Sequence, residues 1–120
     1  MSQSFFLGDQ SVPLDLWIFV NSIAQTGITT APTVSVRNRD NDRSLDFSDN
    51  LLKTFGSAVS AVQTLSAISG GLYRTTFNST RDQNIGNGTT LVAEYRDNNG
   101  RRTSEDITFT KAPAGPEDVW

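Results

Sequence analysis

The clearest pattern in the chain lies between Val62 and Thr80, VQTLSAISGGLYRTTFNST. Gly70 and Gly71 end one apolar segment and begin another, after which Tyr73, Thr75 and Phe77 alternate with Leu72, Arg74 and Thr76. A period of two places successive side chains on opposite faces, so this stretch predicts a half-buried strand. Upstream, Leu14, Leu16, Ile18 and Val20 alternate with Asp15, Trp17 and Phe19, giving a strand with one apolar face and a second face that carries two large aromatics. Contiguous aromatics are rarely left to water. A cover over Trp17 and Phe19 is therefore expected, supplied by the chain's own arm or by another subunit.

Residues 1–11, with Phe5, Phe6 and Leu7, read as an N-terminal arm or short strand. Residues 21–32, NSIAQTGITTAP, contain a turn at Gly27 and no sustained period, and read as a loop. Val34 and Val36 then alternate with Ser35 and Arg37 in the next strand, a polar turn RDNDRS follows, and Leu45 and Phe47 flank Asp46. Two readings compete from 48 to 68. Leu51, Leu52, Phe55, Val59, Val62 and Leu65 fall near a helical period, with Ser48 or Asp49 as a cap. Against a helix stand Gly56, at a cost of about 1 kcal/mol in a helix interior, and many serines, threonines and valines. The favoured expectation is a loop or broken edge strand over 50–60 and a strand over 61–68.

Further on, Leu91, Ala93 and Tyr95 alternate with Val92, Glu94 and Arg96, and Asp97-Asn98-Asn99-Gly100 tolerates positive φ, which predicts a hairpin. Its returning strand, Arg101 to Thr110, points Ile107 and Phe109 inward. Residues 111–120, KAPAGPEDVW, read as an extended C-terminal tail, and a purely solvated tail would not need Trp120. Tyr73 and Tyr95 fall on core-facing positions. Seven or so short strands separated by polar turns predict an all-β domain over 12–110, a two-sheet antiparallel sandwich.

Composition narrows the function. A chain of 120 residues is the size of one domain. Ten basic and thirteen acidic residues leave a net charge of -3, which argues against long-range attraction to nucleic acid or to an anionic membrane. Arg outnumbers Lys eight to two, and Arg37, Arg39 and Arg43 lie close in sequence; Arg suits carboxylate pairing across interfaces, although a solvated edge or turn is the commoner role for such a cluster. No stretch approaches the roughly 20 apolar residues of a membrane span, and MSQSFFLGDQ has neither a basic segment nor an apolar run of signal-peptide length, so synthesis in a cytoplasm is expected.

The usual chemistry is missing. The sequence holds no His and no Cys, which removes the common general base, the thiol nucleophile, disulfides and the usual zinc ligands. A hydrolase would have to work with carboxylates alone, and no pair stands out. Gly70-Gly71 and Gly86-Asn87-Gly88 lack the spacing of a phosphate-binding loop and read as turns. Asp40, Asp42, Asp46 and Asp49 offer oxygen ligands of the kind Ca²⁺ takes, but their spacing is not that of an EF-hand and suits polar turns better. The expectation is a protein without catalytic residues, cofactor or metal.

The segments LDLWIFVNSIAQTG, APTVSVRNRDNDRSLDF, LSAISGGLYRTTF and LVAEYRDNNG, in that order over residues 12–110, resemble a pattern of small bacteriophage virion proteins. In those proteins an Ig-like β-sandwich carries a Gly-Gly-Leu-Tyr strand and a late Glu-Tyr strand ending in a hairpin. The resemblance implies a non-enzymatic structural role in a virion. The first expectation is a capsid decoration (cement) protein, a homotrimer bound to the major capsid protein or another virion protein, with Phe5, Phe6, Trp17, Phe19, Arg37, Arg39 and Trp120 at the interfaces. A tail, baseplate or fibre adaptor is the alternative. A carbohydrate-binding module acting through an exposed Trp17 is the second alternative.

Overall fold

The computed structural model describes residues 2–7, 10–25, 30–41, 43–54, 56–79 and 85–110. Its strands are β1 (Ser2–Phe6), β2 (Gln10–Trp17), β3 (Phe19–Val20), β4 (Ile23–Ala24), β5 (Thr33–Asn38), β6 (Ser44–Asp46), β7 (Leu51–Lys53), β8 (Val62–Thr64), β9 (Ser66–Ser69), β10 (Leu72–Ser79), β11 (Thr90–Arg96) and β12 (Arg102–Thr110). Among the described residues there is no helix, so 48–60 resolves as turns around the short edge strand β7. The expected tail at 111–120, the turn at Gly27 and the position of Phe55 lie outside the described residues.

The larger sheet runs β1-β12-β11-β5-β6-β7, with β8 also paired to β5; the smaller runs β2-β10-β9, and β3-β4 form a separate ribbon. Neighbours pair antiparallel except β1, which lies parallel to β12 from Ser2↔Asp106 to Phe6↔Thr110. That parallel pair departs from the purely antiparallel expectation. The N-terminal segment is a sheet strand and not a free arm.

Alternation is converted into burial along β5, β11 and β12. Val12 and Leu14 from β2 and Tyr73 and Phe77 from β10 meet Val34, Val36, Leu91, Ala93, Tyr95, Ile107 and Phe109 from the larger sheet in one core. Burying a side chain such as Phe77 or Phe109, both almost fully enclosed, contributes about 1.5–3 kcal/mol each. Residues 62–69 bridge the two sheets. Val62–Thr64 pair with β5, Ser66–Ser69 lie beside β10, and buried Leu65 marks the switch, its amide donating to the Pro32 carbonyl.

Two buried acids break the apolar pattern. The Glu105 carboxylate, on the inner face of β12, accepts a short hydrogen bond from the Tyr95 hydroxyl and another from Gln3 Nε2 at 3.1 Å. Gln3 also donates to the Pro13 carbonyl at 2.8 Å, so one amide ties β1 to β2 and to β12. Burial, and then the Glu105 carboxylate, push the Tyr95 hydroxyl well above the usual phenol range.

Asp46 is the second. It flanks a turn, where an exposed side chain is the default, yet its side chain is wholly buried. The carboxylate accepts the amides of Ser48, Val59 and Ser60, the Ser48 hydroxyl and the Lys53 ammonium. A helical segment would have satisfied its own amides. Here one carboxylate collects the amides of Ser48, Val59 and Ser60 and so ties together the two ends of a segment that has no helix.

Candidate functional site

The Trp17 end of the domain carries an unusual concentration of exposed apolar side chains. The ladder of β2 stops at Trp17 because the next residue turns inward. Ile18 is buried, its amide donates to the Gly71 carbonyl at 2.9 Å, and its own carbonyl accepts the Gln25 amide at 3.0 Å. The chain then forms the β3-β4 ribbon, with Phe19 opposite Ala24 and Val20 opposite Ile23. Asn21 and Ser22 both take positive φ, 51° and 64°, the geometry of a two-residue hairpin turn that follows the strand twist. Residues 21–24 are thus a hairpin where the sequence pattern read as loop. The signal is weak because Ser stands where Gly is preferred.

The ribbon is pinned at its base. The Tyr73 hydroxyl donates to the Gln25 carbonyl at 2.7 Å, and Gly71, at φ +87°, lets the β9-β10 turn approach so closely that a Cβ there would stand 2.9 Å from the Ile18 carbonyl oxygen. Beyond that base the ribbon is exposed. Trp17 is 53% exposed, Phe19 50%, Val20 49% and Ile23 66%. Trp17 and Phe19 stack with ring centroids 6.1 Å apart and planes 13° apart. No described residue supplies the cover expected over them. Val20 was expected on the buried face with Ile18. It is exposed because the turn at Ile18 ends the register that would have carried it inward.

Behind Trp17 the outer face of the smaller sheet is polar. Arg74 lies directly across from Asp15 and binds it through Nε at 2.5 Å and Nη2 at 2.9 Å, which raises the guanidinium pKa further and orients both side chains. Beside the ribbon, a cleft of about 310 Å³ opens between β3 and the β11-β12 turn.

The other expected interface residues do not join this patch. Arg37 and Arg39 lie toward the opposite end of the strands, where Asn38 pairs with Leu91 and the Arg39 amide donates to Thr90. Arg39 faces Asp106 at 3.7 Å, both well exposed. Phe5 and Phe6 pair with Phe109 and Thr110 at that same far end. There Phe5 packs on the core, its ring 6.0 Å from that of Phe109, while Phe6 is half exposed. Trp120 lies outside the described residues. Tyr73 and Tyr95 are both buried, so neither forms a platform with Trp17.

Of the acidic run, Asp46 is engaged by its own loop and Asp42 lies outside the described residues; among those described, no group of three or more acidic side chains is placed to hold a metal. No family model, no curated protein and no solved structure matches the chain.

Proposed function

We propose that this chain is an Ig-like β-sandwich serving as a non-enzymatic structural component of a bacteriophage particle, in first place a capsid decoration protein. The strand order supports the fold reading. Taken by position, β2-β10-β9 correspond to one Ig sheet and β12-β11-β5-β6-β7 to the other, extended as in variable-type domains, with β1 alongside β12.

The observation that carries the functional reading is the stacked, half-exposed Trp17–Phe19 pair on a ribbon that also exposes Val20 and Ile23. Aromatic anchors of this kind form the centres of protein interfaces. The described exposed aromatics also divide between the two ends of the domain, Trp17 and Phe19 at one and Phe6 at the other. A subunit with an anchor at each end suits a protein that bridges neighbours in a symmetric shell, and the homotrimer is carried over from the resemblance to virion proteins.

Sedimentation velocity at two concentrations, alone and with empty capsid shells, tests this. A stable trimer that co-sediments with shells supports decoration. A monomer that ignores shells overturns it and moves the weight to a tail or baseplate adaptor, which would be present in tens of copies per particle or fewer where a decoration protein reaches hundreds, orders of magnitude set by symmetric assembly.

A further inference from the structure

The cleft beside the aromatic ribbon has a chemistry of its own. Its walls come from two turns that are far apart in sequence, Phe19 and Asn21 on one side and Asp97, Asn98, Asn99 and Arg101 on the other. The second wall is built rigidly. The Asp97 Oδ1 accepts the amides of Asn99 at 2.8 Å and Arg101 at 2.9 Å, the Asp97 amide donates to the Arg101 carbonyl, and Gly100 takes φ +80° to close the turn. This holds the side chains of Asn98, Asn99 and Arg101 on a fixed frame.

Among the described residues no carboxylate pairs with the Arg101 guanidinium. The walls therefore present one aromatic face, several amide groups that both donate and accept, and one planar cation. A volume of about 310 Å³ stands at the small end of ligand sites, and the polar lining does not suit an apolar molecule. Amides of this kind match vicinal hydroxyls, an aromatic face accepts the C–H face of a pyranose, and a guanidinium binds a carboxylate in two-point fashion.

We propose that this cleft binds a carboxylate-bearing sugar, with Arg101 on the carboxylate, Asn98 and Asn99 on hydroxyls and Phe19 against the ring. The polar groups of the site stand on the β11-β12 turn, while Phe19 is shared with the ribbon proposed as the assembly anchor.

The test is a ¹H–¹⁵N NMR titration of the full chain with D-glucuronic acid and N-acetylneuraminic acid, with D-glucose, sodium acetate and sodium phosphate as controls. At least one acidic sugar is expected to bind with millimolar Kd and shift the amides of residues 18–25 and 97–101 together. Glucose and acetate should bind at least about tenfold more weakly, and Arg101→Ala should weaken the acidic sugar by roughly 10- to 100-fold, the range of a lost charge-assisted hydrogen bond. The same spectra report whether the variant is folded. No shift at these amides with either acidic sugar, an equal response to acetate or phosphate, or unchanged binding by a folded Arg101→Ala variant would each overturn the proposal.

Discussion

The Lys53 ammonium lies 2.7 Å from the buried Asp46 carboxylate and 2.8 Å from Asp49, which closes a loop whose amides Asp46 also collects. The Lys53 contact, followed by the Ser48 hydroxyl and the Val59 amide, holds the Asp46 carboxyl far below its ordinary value of 3.8. The same contact raises the Lys53 pKa. A carboxyl with a depressed folded pKa stabilises the fold above its unfolded pKa, and this stability is lost as pH falls below it. The expected acid limb begins near pH 5 and steepens through pH 4, with an uptake on unfolding that approaches one proton from this site. Asp46→Asn should lower stability at pH 7 and flatten that limb. Urea unfolding at pH 7, 4 and 3 for both proteins checks it, and parallel curves would mean that Asp46 does not carry the acid sensitivity.

Tyr95 and Glu105 give a prediction at the other end of the pH scale. Tyr95→Phe keeps the ring but leaves the buried Glu105 carboxylate with the Gln3 amide as its remaining side-chain donor among the described residues, a loss of roughly 1–3 kcal/mol. Because burial holds the folded phenol protonated, the unfolded chain releases this proton first as pH rises past about 10. Stability from this group is therefore complete below pH 10 and declines above it. The wild type should lose stability between pH 10 and 11 by an amount that Tyr95→Phe does not show, read by thermal melts across that range.

Much of the fold was legible because burial follows a period of two. Tyr73, Phe77, Leu91, Tyr95, Ile107 and Phe109 all face the core that their alternation assigns them. What escaped was the polar and the local. Asp46 looks like a turn residue in sequence, and Glu105 is a charge on the inward face it shares with Ile107 and Phe109; only the convergence of distant donors, Val59 and Ser60 on the one and Gln3 on the other, makes their burial tolerable. The aromatic patch was half legible. Trp17 and Phe19 were marked by their shared face, but Val20 and Ile23 joined them through a turn at Asn21 and Ser22 that no preferred turn sequence announced.

The two glycines of the β9-β10 turn should respond differently to the same substitution. Both have positive φ, 59° at Gly70 and 87° at Gly71, but a Cβ at Gly70 meets nothing within 4 Å. Gly70→Ala should cost only left-handed strain, about 1–2 kcal/mol. Gly71→Ala adds a clash with the Ile18 carbonyl and the Ala24 side chain, so it should cost more and loosen the ribbon. Hydrogen exchange at the Ile18 amide, bonded to the Gly71 carbonyl, should speed up in Gly71→Ala and stay near wild type in Gly70→Ala. Equal exchange in both would show that the close approach does not hold the ribbon in place.

The aromatic patch makes the sharpest distinction between core and interface. Trp17 and Phe19 each leave about half of their surface in water, so replacing both with Ser removes the stack and part of their burial but none of the enclosed core. The stack itself is worth about 0.5–1.5 kcal/mol, a loss that a folded domain of this size tolerates. An anchor pair at an interface behaves otherwise, because a few central aromatics carry most of the binding energy. Trp17→Ser with Phe19→Ser should therefore keep the folded spectrum and most of the thermal stability while self-association and shell binding disappear in sedimentation velocity. Phe6→Ser, at the far end of the domain, separates the two contacts. If it leaves self-association intact but weakens shell binding, the ribbon joins copies of the chain and the β1 end meets the shell. If the double variant unfolds instead, Trp17 and Phe19 belong to the structural core and the interface lies elsewhere.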